Sequence, residues 1–170
     1  MSALKQLTMN KVKTLKEVLR ATKAARKAGK KIVATNGCFD IMHVGHITSF
    51  TQAKKLGDIL VVGINSDASV RTNKGDLRPI ISERDRAEVV AALRVVDHVF
   101  IFPEKTPFSW MKKMRPDIQV KGIDTKNHPD FAAQKRTVEK IGAKFVLLPL
   151  VKGKSTTKII DKIVRSYSKH

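Results

Sequence analysis

Hydrophobic positions along the chain follow two periodicities, and the first to appear is helical. In residues 14–28, apolar side chains recur at three- and four-residue intervals, and Gly29 follows as a helix terminator. The resulting apolar face carries Leu15, Val18, Leu19 and Ala25. Residues 59–64, by contrast, are continuously apolar, which is typical of a strand covered on both faces.

The two patterns alternate through the rest of the chain. We predict strands at 31–35 (ending in Asn36-Gly37), 59–64, 96–101, 118–120 and 144–148. We predict helices at 14–28, 45–56, 82–94, 106–114, 130–141 and 155–166, with Ser82 and Ser155 as N-caps. Such alternation with short links predicts right-handed crossovers, and therefore an α/β domain with a doubly wound, Rossmann-like parallel sheet. The stretch 71–79, with its glycine and proline, is predicted to be a mobile loop.

Size and composition agree with a globular α/β domain. The chain has 170 residues, 42% of them hydrophobic, so one domain spanning 1–170 with helix 1–30 packed on it is expected. No apolar run approaches the roughly 20 residues that span a bilayer, so no membrane association is expected. Because the single cysteine, Cys38, cannot form an internal disulfide, a cytoplasmic location is predicted.

Charge is strongly unbalanced, with a formal net value of +19. Residues 1–31 carry ten Lys/Arg and one acidic residue, and residues 152–170 carry six and one. The excess therefore lies mainly at the two ends of the chain, and the interpretation favoured from sequence is a solvated basic surface. Nucleic-acid binding is a possible but not favoured alternative.

Candidate chemistry follows the first predicted strand. In open α/β sheets ligands bind beyond the carboxyl ends of the strands, and there the chain reads Thr35 to Asp40 and then His43-Val44-Gly45-His46. Two histidines three residues apart at a helix start project on one side, where imidazole N–H groups can stabilise a phosphate. Taken alone, the pair is consistent with a phosphate site and equally with one histidine in the core and one on the surface. A zinc site is disfavoured because no further ligands follow at a suitable spacing.

A family resemblance favours the phosphate interpretation. Thr35–His46 resembles the signature of the HxGH nucleotidylyltransferase superfamily, and the chain is most similar to heptose 1-phosphate adenylyltransferases, the adenylyltransferase domain of ADP-heptose synthase in lipopolysaccharide-core synthesis. The likeness covers roughly residues 10–165. Its motifs are Asn36–Asp40, Asn65–Val70, Lys74-Gly75, Arg78–Ile80, Asp85–Val89, Val120–Gly122 and Ser155–Thr157.

The resemblance implies transfer of AMP from ATP, with Mg²⁺ held mainly by the triphosphate, to a sugar 1-phosphate. It implies catalytic contacts from His43, His46, Lys74 and Arg86. It implies nucleotide contacts from Asn36, Gly37, Cys38, Phe39, Gly45, Lys121, Gly122, Asp124, Ser155, Thr156 and Thr157. For Asp40 and Asp67 we predict a substrate-binding position; a ligand role is favoured for Asp40 and a turn role for Asp67. Relatives also imply a homodimer.

Three departures from the family pattern qualify this picture. The aromatic that usually follows Lys121-Gly122 is absent, because Ile123-Asp124-Thr125 stands there. Arg84 replaces a usual acid, and the 170 residues leave no room for a fused sugar kinase, so a stand-alone transferase is expected. An alternative function with the same type of reaction is that of a CTP-dependent cytidylyltransferase acting on glycerol 3-phosphate or a similar phospho-alcohol. It is disfavoured because the arginine and glutamate usual before the Ser-Thr-Thr motif are missing. The rival of another class is a basic nucleic-acid-binding module without catalysis.

Overall fold

A computed structural model describes Thr8 and residues 11–168 of the chain. The strands are β1 (Ile32–Gly37), β2 (Ile59–Asn65), β3 (His98–Phe102), β4 (Ile118–Gly122) and β5 (Lys144–Leu148). The α-helices are α1 (Leu15–Lys27), α2 (Val44–Lys54), α3 (Asp67–Lys74), α4 (Glu83–Ala91), α5 (Phe108–Met114), α6 (Phe131–Lys140) and α7 (Thr156–Tyr167). A 3₁₀ helix covers Ile123–Asn127. None of the helices in these described residues is both long and apolar enough to cross a membrane.

The strands form one parallel sheet in the order β3-β2-β1-β4-β5. The predicted doubly wound α/β fold is therefore confirmed. β1 and β2 are buried along nearly their whole length, which explains why their sequences lack alternation. Beside β3, Val12 adds a parallel bridge to Val99.

The sheet carries a separate apolar core on each face. One core packs α2 and α4 against the sheet through Phe50, Ala53, Ala87 and Val90. The other packs α1, α5 and α6 through Val18, Trp110, Met111 and Val138. The two groups of helices follow from topology, because right-handed crossovers place helices on opposite faces when the chain reverses its direction across the sheet.

Local signals explain the first helix. Thr14 caps α1 and forms a capping box with Glu17, and the predicted apolar face is confirmed, since Val18 is fully buried. Gly29 adopts φ +74°, a conformation that glycine tolerates, just after the helix ends.

One local prediction needs correction, and one short helix was not predicted. Residues 71–74, expected in a loop, form the end of helix α3, which Ser66 caps by accepting from the N–H of Ser69. The sequence also gave no sign of the 3₁₀ helix after β4. Both elements are short, and α3 is polar for most of its length, so hydrophobic periodicity carried little information.

Candidate active site

The candidate site lies where the order of the strands reverses, at the carboxyl ends of β1 and β4. The two strands are joined there by side chains as well as by the ladder. Lys121 Nζ, from β4, donates to the Asn36 carbonyl of β1 at 2.9 Å. Gln119 Nε2 donates to Asn36 Oδ1 at 3.3 Å. Both the backbone carbonyl and the side chain of Asn36 are thus hydrogen-bonded to β4. These contacts fix the position at which the following turn begins.

His43 and His46 form a stacked pair at the start of α2. Their ring centroids lie 3.9 Å apart with an interplanar angle of 22°. His43 is the N-cap of the helix, and its Nδ1 accepts from the N–H of Gly45 at 3.1 Å. Phe39 packs edge-on against His46, with ring centroids 5.3 Å apart. The prediction that both histidines project on one side is therefore confirmed.

Both imidazoles are held in the neutral form at neutral pH. Burial lowers the pKa of His46 to about 4, and the neighbouring His43 adds to this shift. Burial, with the Lys154 ammonium nearby, also lowers the pKa of His43. Because Nδ1 of His43 accepts a hydrogen bond, its ring proton is on Nε2. Neutral His43 therefore keeps an N–H donor at the ring edge away from its own backbone.

Gly37 and Gly45 make room for aromatic rings. A Cβ on Gly37 would lie 3.0 Å from the Phe39 ring, and one on Gly45 would lie 2.9 Å from the His43 ring. The nucleotide contacts that the resemblance implies for both glycines stay predictions, but they are not needed to explain why these positions lack a side chain. The structure gives a nearer reason, since a side chain at either position would displace a ring of the cluster.

Basic side chains approach the end of β4. Burial lowers the pKa of Lys121 to about 8; Asp124 opposes this shift and Lys74 adds to it. Lys74 is the last residue of α3 and is exposed. Its ammonium is near enough to lower the pKa of Lys121 and of the Cys38 thiol, and its catalytic role stays a prediction.

Arg86 lies behind the turn and is fully buried. Its guanidinium donates to the carbonyls of Ile81, Cys38 and Asn65 and to Oδ1 of Asp67. A guanidinium has five N–H donors, so four are already engaged by the protein. The predicted phosphate contact of Arg86 does not fit this arrangement. The residue instead joins the turns after β1 and β2 to the start of α4.

Asp40 is a second buried charge that the protein engages. Its side chain is 0% exposed and accepts from Arg78 and from the backbone N–H groups of Ile80 and Ile81. Burial alone would raise its pKa, but these hydrogen bonds outweigh burial and lower it. The ligand role predicted for Asp40 therefore needs correction. The carboxylate anchors the segment after α3, whose earlier part, 75–79, is predicted from sequence to be a mobile loop.

Asp67 opens helix α3 directly after its N-cap. Its Oδ1 lies 2.7 Å from the Arg86 guanidinium, and its backbone N–H donates to Glu83 Oε2 at 2.7 Å. The turn role favoured from sequence agrees with these contacts. A contact between Asp67 and a substrate stays a prediction.

The start of α7 lies over the histidine turn. Ser155 is its N-cap and accepts from the N–H of Lys158, and Thr156 Oγ1 donates to the Ile41 carbonyl at 3.3 Å. Lys154 passes close to Gly45, because a Cβ there would lie 3.6 Å from the Lys154 Cβ. The predicted motif 155–157 is therefore brought to the histidines, although Thr157 itself is exposed on the first turn of the helix.

Gly122 is flanked by a carboxylate and an apolar side chain. A Cβ at this glycine would lie 2.5 Å from Asp124 Oδ1 and 3.0 Å from Leu150 Cδ2. Leu150 and the adjacent Ile123 are 52% and 46% exposed. Apolar surface therefore stands beside Gly122, where the family's aromatic residue is missing.

Sequence reasoning missed Lys154 as a residue of this region, and it included Arg78 in a family motif without assigning it a role. The signal for Lys154 was its place directly before a helix N-cap, next to a motif already identified. The sequence around Arg78 does not reveal its role, because its partner Asp40 lies 38 residues away. Among the described residues, no group of three or more His, Cys, Asp or Glu side chains is arranged to hold a metal ion.

Comparison with known proteins gives a consistent assignment. A model of the cytidylyltransferase-like family matches residues 34–162. The bifunctional protein HldE of Geobacter metallireducens is 47% identical over 157 residues, which cover 92% of this chain and 32% of that protein. HldE of Syntrophotalea carbinolica is 47% identical over 154 residues, covering 90% and 31%. The chain thus spans about a third of the length of these relatives.

Solved structures agree with the fold. The lipopolysaccharide core biosynthesis protein from Thermoplasma volcanium is 32% identical, with a TM-score of 0.61 over 74% of this chain and 100% of that one. A pantoate-beta-alanine ligase from Francisella tularensis, solved with an ATP analogue and beta-alanine, also gives a TM-score of 0.61, over 94% and 79%. At 16% identity, the second likeness supports the fold alone.

Proposed function

Because the chain belongs to the cytidylyltransferase-like family and is a nucleotidyltransferase, we propose that it transfers AMP from ATP to a sugar 1-phosphate. The acceptor we propose is D-glycero-D-manno-heptose 1-phosphate, which gives ADP-heptose and pyrophosphate. The resemblance of the motifs to heptose enzymes and the identity to HldE support this choice, as does the name of the Thermoplasma volcanium neighbour.

The observation that carries the proposal is the stacked, neutral pair of His43 and His46 at the start of α2. In the reaction an oxygen of the sugar phosphate attacks the α-phosphorus of ATP. The new O–P bond forms as the bond to the bridging oxygen breaks, and pyrophosphate leaves with that electron pair. A phosphate is already nucleophilic, so no proton must be removed from it, and the role of the imidazoles is to donate N–H groups to oxygens that gain charge.

Three lysines suit the charge of the triphosphate. Lys154 lies beside the histidine pair, Lys121 lies near the end of β4, and Lys74, at the end of α3, is near enough to lower the pKa of Lys121. We propose that they bind phosphate oxygens as point charges. Lys121 is already oriented by the Asn36 carbonyl, and this fixed position lowers the entropy cost of binding.

The apolar surface beside Gly122 suits a base. Leu150 and Ile123 expose aliphatic side chains there, and Asp124 supplies a carboxylate acceptor at the same place. The exocyclic amino group of adenine is a donor that such a carboxylate would accept. We therefore propose Gly122, Asp124 and Leu150 as the base subsite, in place of contacts from the missing aromatic.

The side chains present do not form a protein-held magnesium site. Asp40 is engaged by Arg78 and two backbone N–H groups, and Asp67 is paired with Arg86. Mg²⁺ prefers carboxylate and phosphate oxygens, so the ion is expected to arrive with the triphosphate as part of the substrate.

The decisive experiment is a pyrophosphate-release assay with ATP, CTP, GTP and UTP against a panel of sugar and polyol phosphates. The proposal expects ATP with heptose 1-phosphate to give the highest kcat/KM, with ADP-heptose identified by mass. If CTP with glycerol 3-phosphate is the better pair, the adenylyl assignment fails and the alternative stands. If no pair of nucleotide and acceptor releases pyrophosphate, nucleotidyl transfer to these acceptors is contradicted.

A further inference from the structure

The two helix layers of the protein differ sharply in charge. The layer of α1, α5 and α6, taken as residues 14–31, 108–117 and 131–144, carries fourteen Lys/Arg and three Asp/Glu. The opposite layer of α2 and α4, taken as residues 44–57 and 82–96, carries five Lys/Arg and three Asp/Glu. The linear sequence had pointed to the two ends of the chain. The fold instead gathers much of the excess charge on one side of the sheet, which we call the basic face.

Helix α1 forms the centre of the basic face. Four exposed cations follow one another at helical spacing: Lys16, Arg20, Lys23 and Lys27. The opposite side of the same helix buries Val18 and Thr22 against the sheet. At about 1.5 Å per residue, the row of cations is about 16 Å long. Arg26 fastens α1 to the end of α5 by donating to the carbonyls of Met114 and Arg115, so the row is held on a rigid support.

The acidic residues of this layer form no ion pair with the four cations of the row among the described residues. Glu17 completes the capping box with Thr14, and Asp117 accepts from the backbone N–H of Ile32. Glu139 pairs with Lys135, the one cation of the face that takes part in an ion pair among the described residues. The remaining cations therefore face solvent without a protein counter-charge within ion-pair distance.

The basic face also lacks an apolar anchor. The large hydrophobic side chains that are exposed in the described residues all lie outside this layer: Val44, Ile47, Leu77, Ile80, Val89, Ile123, Leu150, Ile163, Val164 and Tyr167. Peripheral helices that enter a bilayer combine a basic face with bulky apolar side chains. Proteins that bind single strands present aromatic rings on which the bases stack. A rigid row of cations without either feature fits a hydrated, regularly charged phosphate backbone.

We propose that the basic face binds the backbone of double-stranded nucleic acid without sequence preference. This goes beyond the proposed transferase function and shares no residue with the candidate active site. Binding of this kind is driven by release of counterions as lysines and arginines approach phosphates, so it weakens steeply with salt.

The test compares two variants of the full chain with equal charge and composition changes. One replaces Arg20, Lys23 and Lys27 by glutamine on the row. The other replaces Arg94, Lys55 and Lys105, which are exposed on other parts of the surface. Binding to a short DNA duplex of random sequence is measured by fluorescence anisotropy between about 50 and 200 mM salt.

The proposal expects salt-sensitive binding by the wild type. The row variant should lose about tenfold or more in affinity at low salt, and the slope of log K against log salt should fall by roughly 2.7 for three lost contacts. The control variant should stay within about threefold of wild type. AMP transfer, measured in the same samples, should be equal in all three proteins, so a failure of the proposed transferase activity would not be confused with a failure here.

Three results would overturn the proposal. Absence of duplex binding by the wild type at low salt would show a solvated surface. Equal loss in both variants would show diffuse attraction by net charge. Stronger binding to phosphatidylserine vesicles than to duplex, lost in the row variant, would assign the face to an anionic membrane instead.

Discussion

Two groups of polar residues flank the turn after β1, and they differ in what their hydrogen-bonding atoms do. Behind the turn, Arg86 and Asp40 have 0% side-chain exposure and are bonded to protein groups. In front of it, His43 and His46 stack on each other beside Lys154, with an N–H donor of His43 left unused by its own turn. A family motif therefore contains two kinds of residue. One kind holds the turn in place, and the other is available to a ligand.

The largest expected effect comes from the available group. His43→Ala or His46→Ala should lower kcat by about 10²–10³, because each removes an oriented donor to developing charge. The melting temperature should change little for His43→Ala, since the N-cap contact it removes contributes about 1 kcal/mol. Steady-state kinetics with ATP and the sugar phosphate, together with thermal unfolding, provide the check. Activity within tenfold of wild type for both variants would remove the histidines from the mechanism.

The residues behind the turn should respond in the opposite way. Arg86→Lys retains the charge but cannot reach four acceptors, so the free energy of unfolding should fall by about 3 kcal/mol. Arg84→Lys, exposed on the same helix, is the matched control and should change it by less than about 0.5 kcal/mol. Denaturant titration measures both. A stable Arg86→Lys protein with a strongly raised KM for ATP would instead restore the phosphate contact first predicted for this residue.

A smaller effect is expected at Lys154. Replacing it by alanine removes one exposed cation beside the histidines, and kcat/KM for ATP should fall by about tenfold, which corresponds to about 1.4 kcal/mol. Lys152→Ala, an exposed lysine two residues earlier in the same loop, should leave kcat/KM within about twofold. Equal losses in the two variants would mean that the loop contributes only general positive potential.

The smallest effect concerns pH. Lys121 has a pKa of about 8, so it is charged below that value and loses its proton as the pH rises above it. If its charge binds triphosphate, the KM for ATP should rise severalfold between about pH 7 and pH 9. Lys121→Arg, which stays protonated throughout, should show a flatter profile. A KM that does not change with pH in the wild type would place Lys121 outside the phosphate site.

Much of the fold was readable from sequence, because β2 is almost entirely apolar and α1, α4 and α7 begin at capping residues. Strand β5 was predicted at its observed bounds, and α7 within one residue. The histidine pair was equally readable, since a three-residue spacing at a helix start fixes the side on which both rings lie. These features depend on local sequence alone.

The hydrogen bonds of Arg86 and Asp40 to other protein groups could not be predicted from local sequence. Arg86 contacts Cys38, which is 48 residues away, and Asp40 contacts Arg78 at a separation of 38. Whether a charged side chain faces a ligand or its own backbone depends on such distant partners. The basic face shows the same limit, because a sum along the chain does not reveal which helices share a side of the sheet.

We infer that the turn after β1 presents two neutral imidazoles as N–H donors. Nitrogen-15 NMR of the histidine side chains tests it most directly, by following the ring nitrogens of His43 and His46 from about pH 4 to pH 8. We predict that His46 stays neutral down to a pKa of about 4, and that neutral His43 carries its proton on Nε2. A pKa at or above the ordinary histidine value of about 6.5 for His46, or a His43 proton on Nδ1, would contradict it.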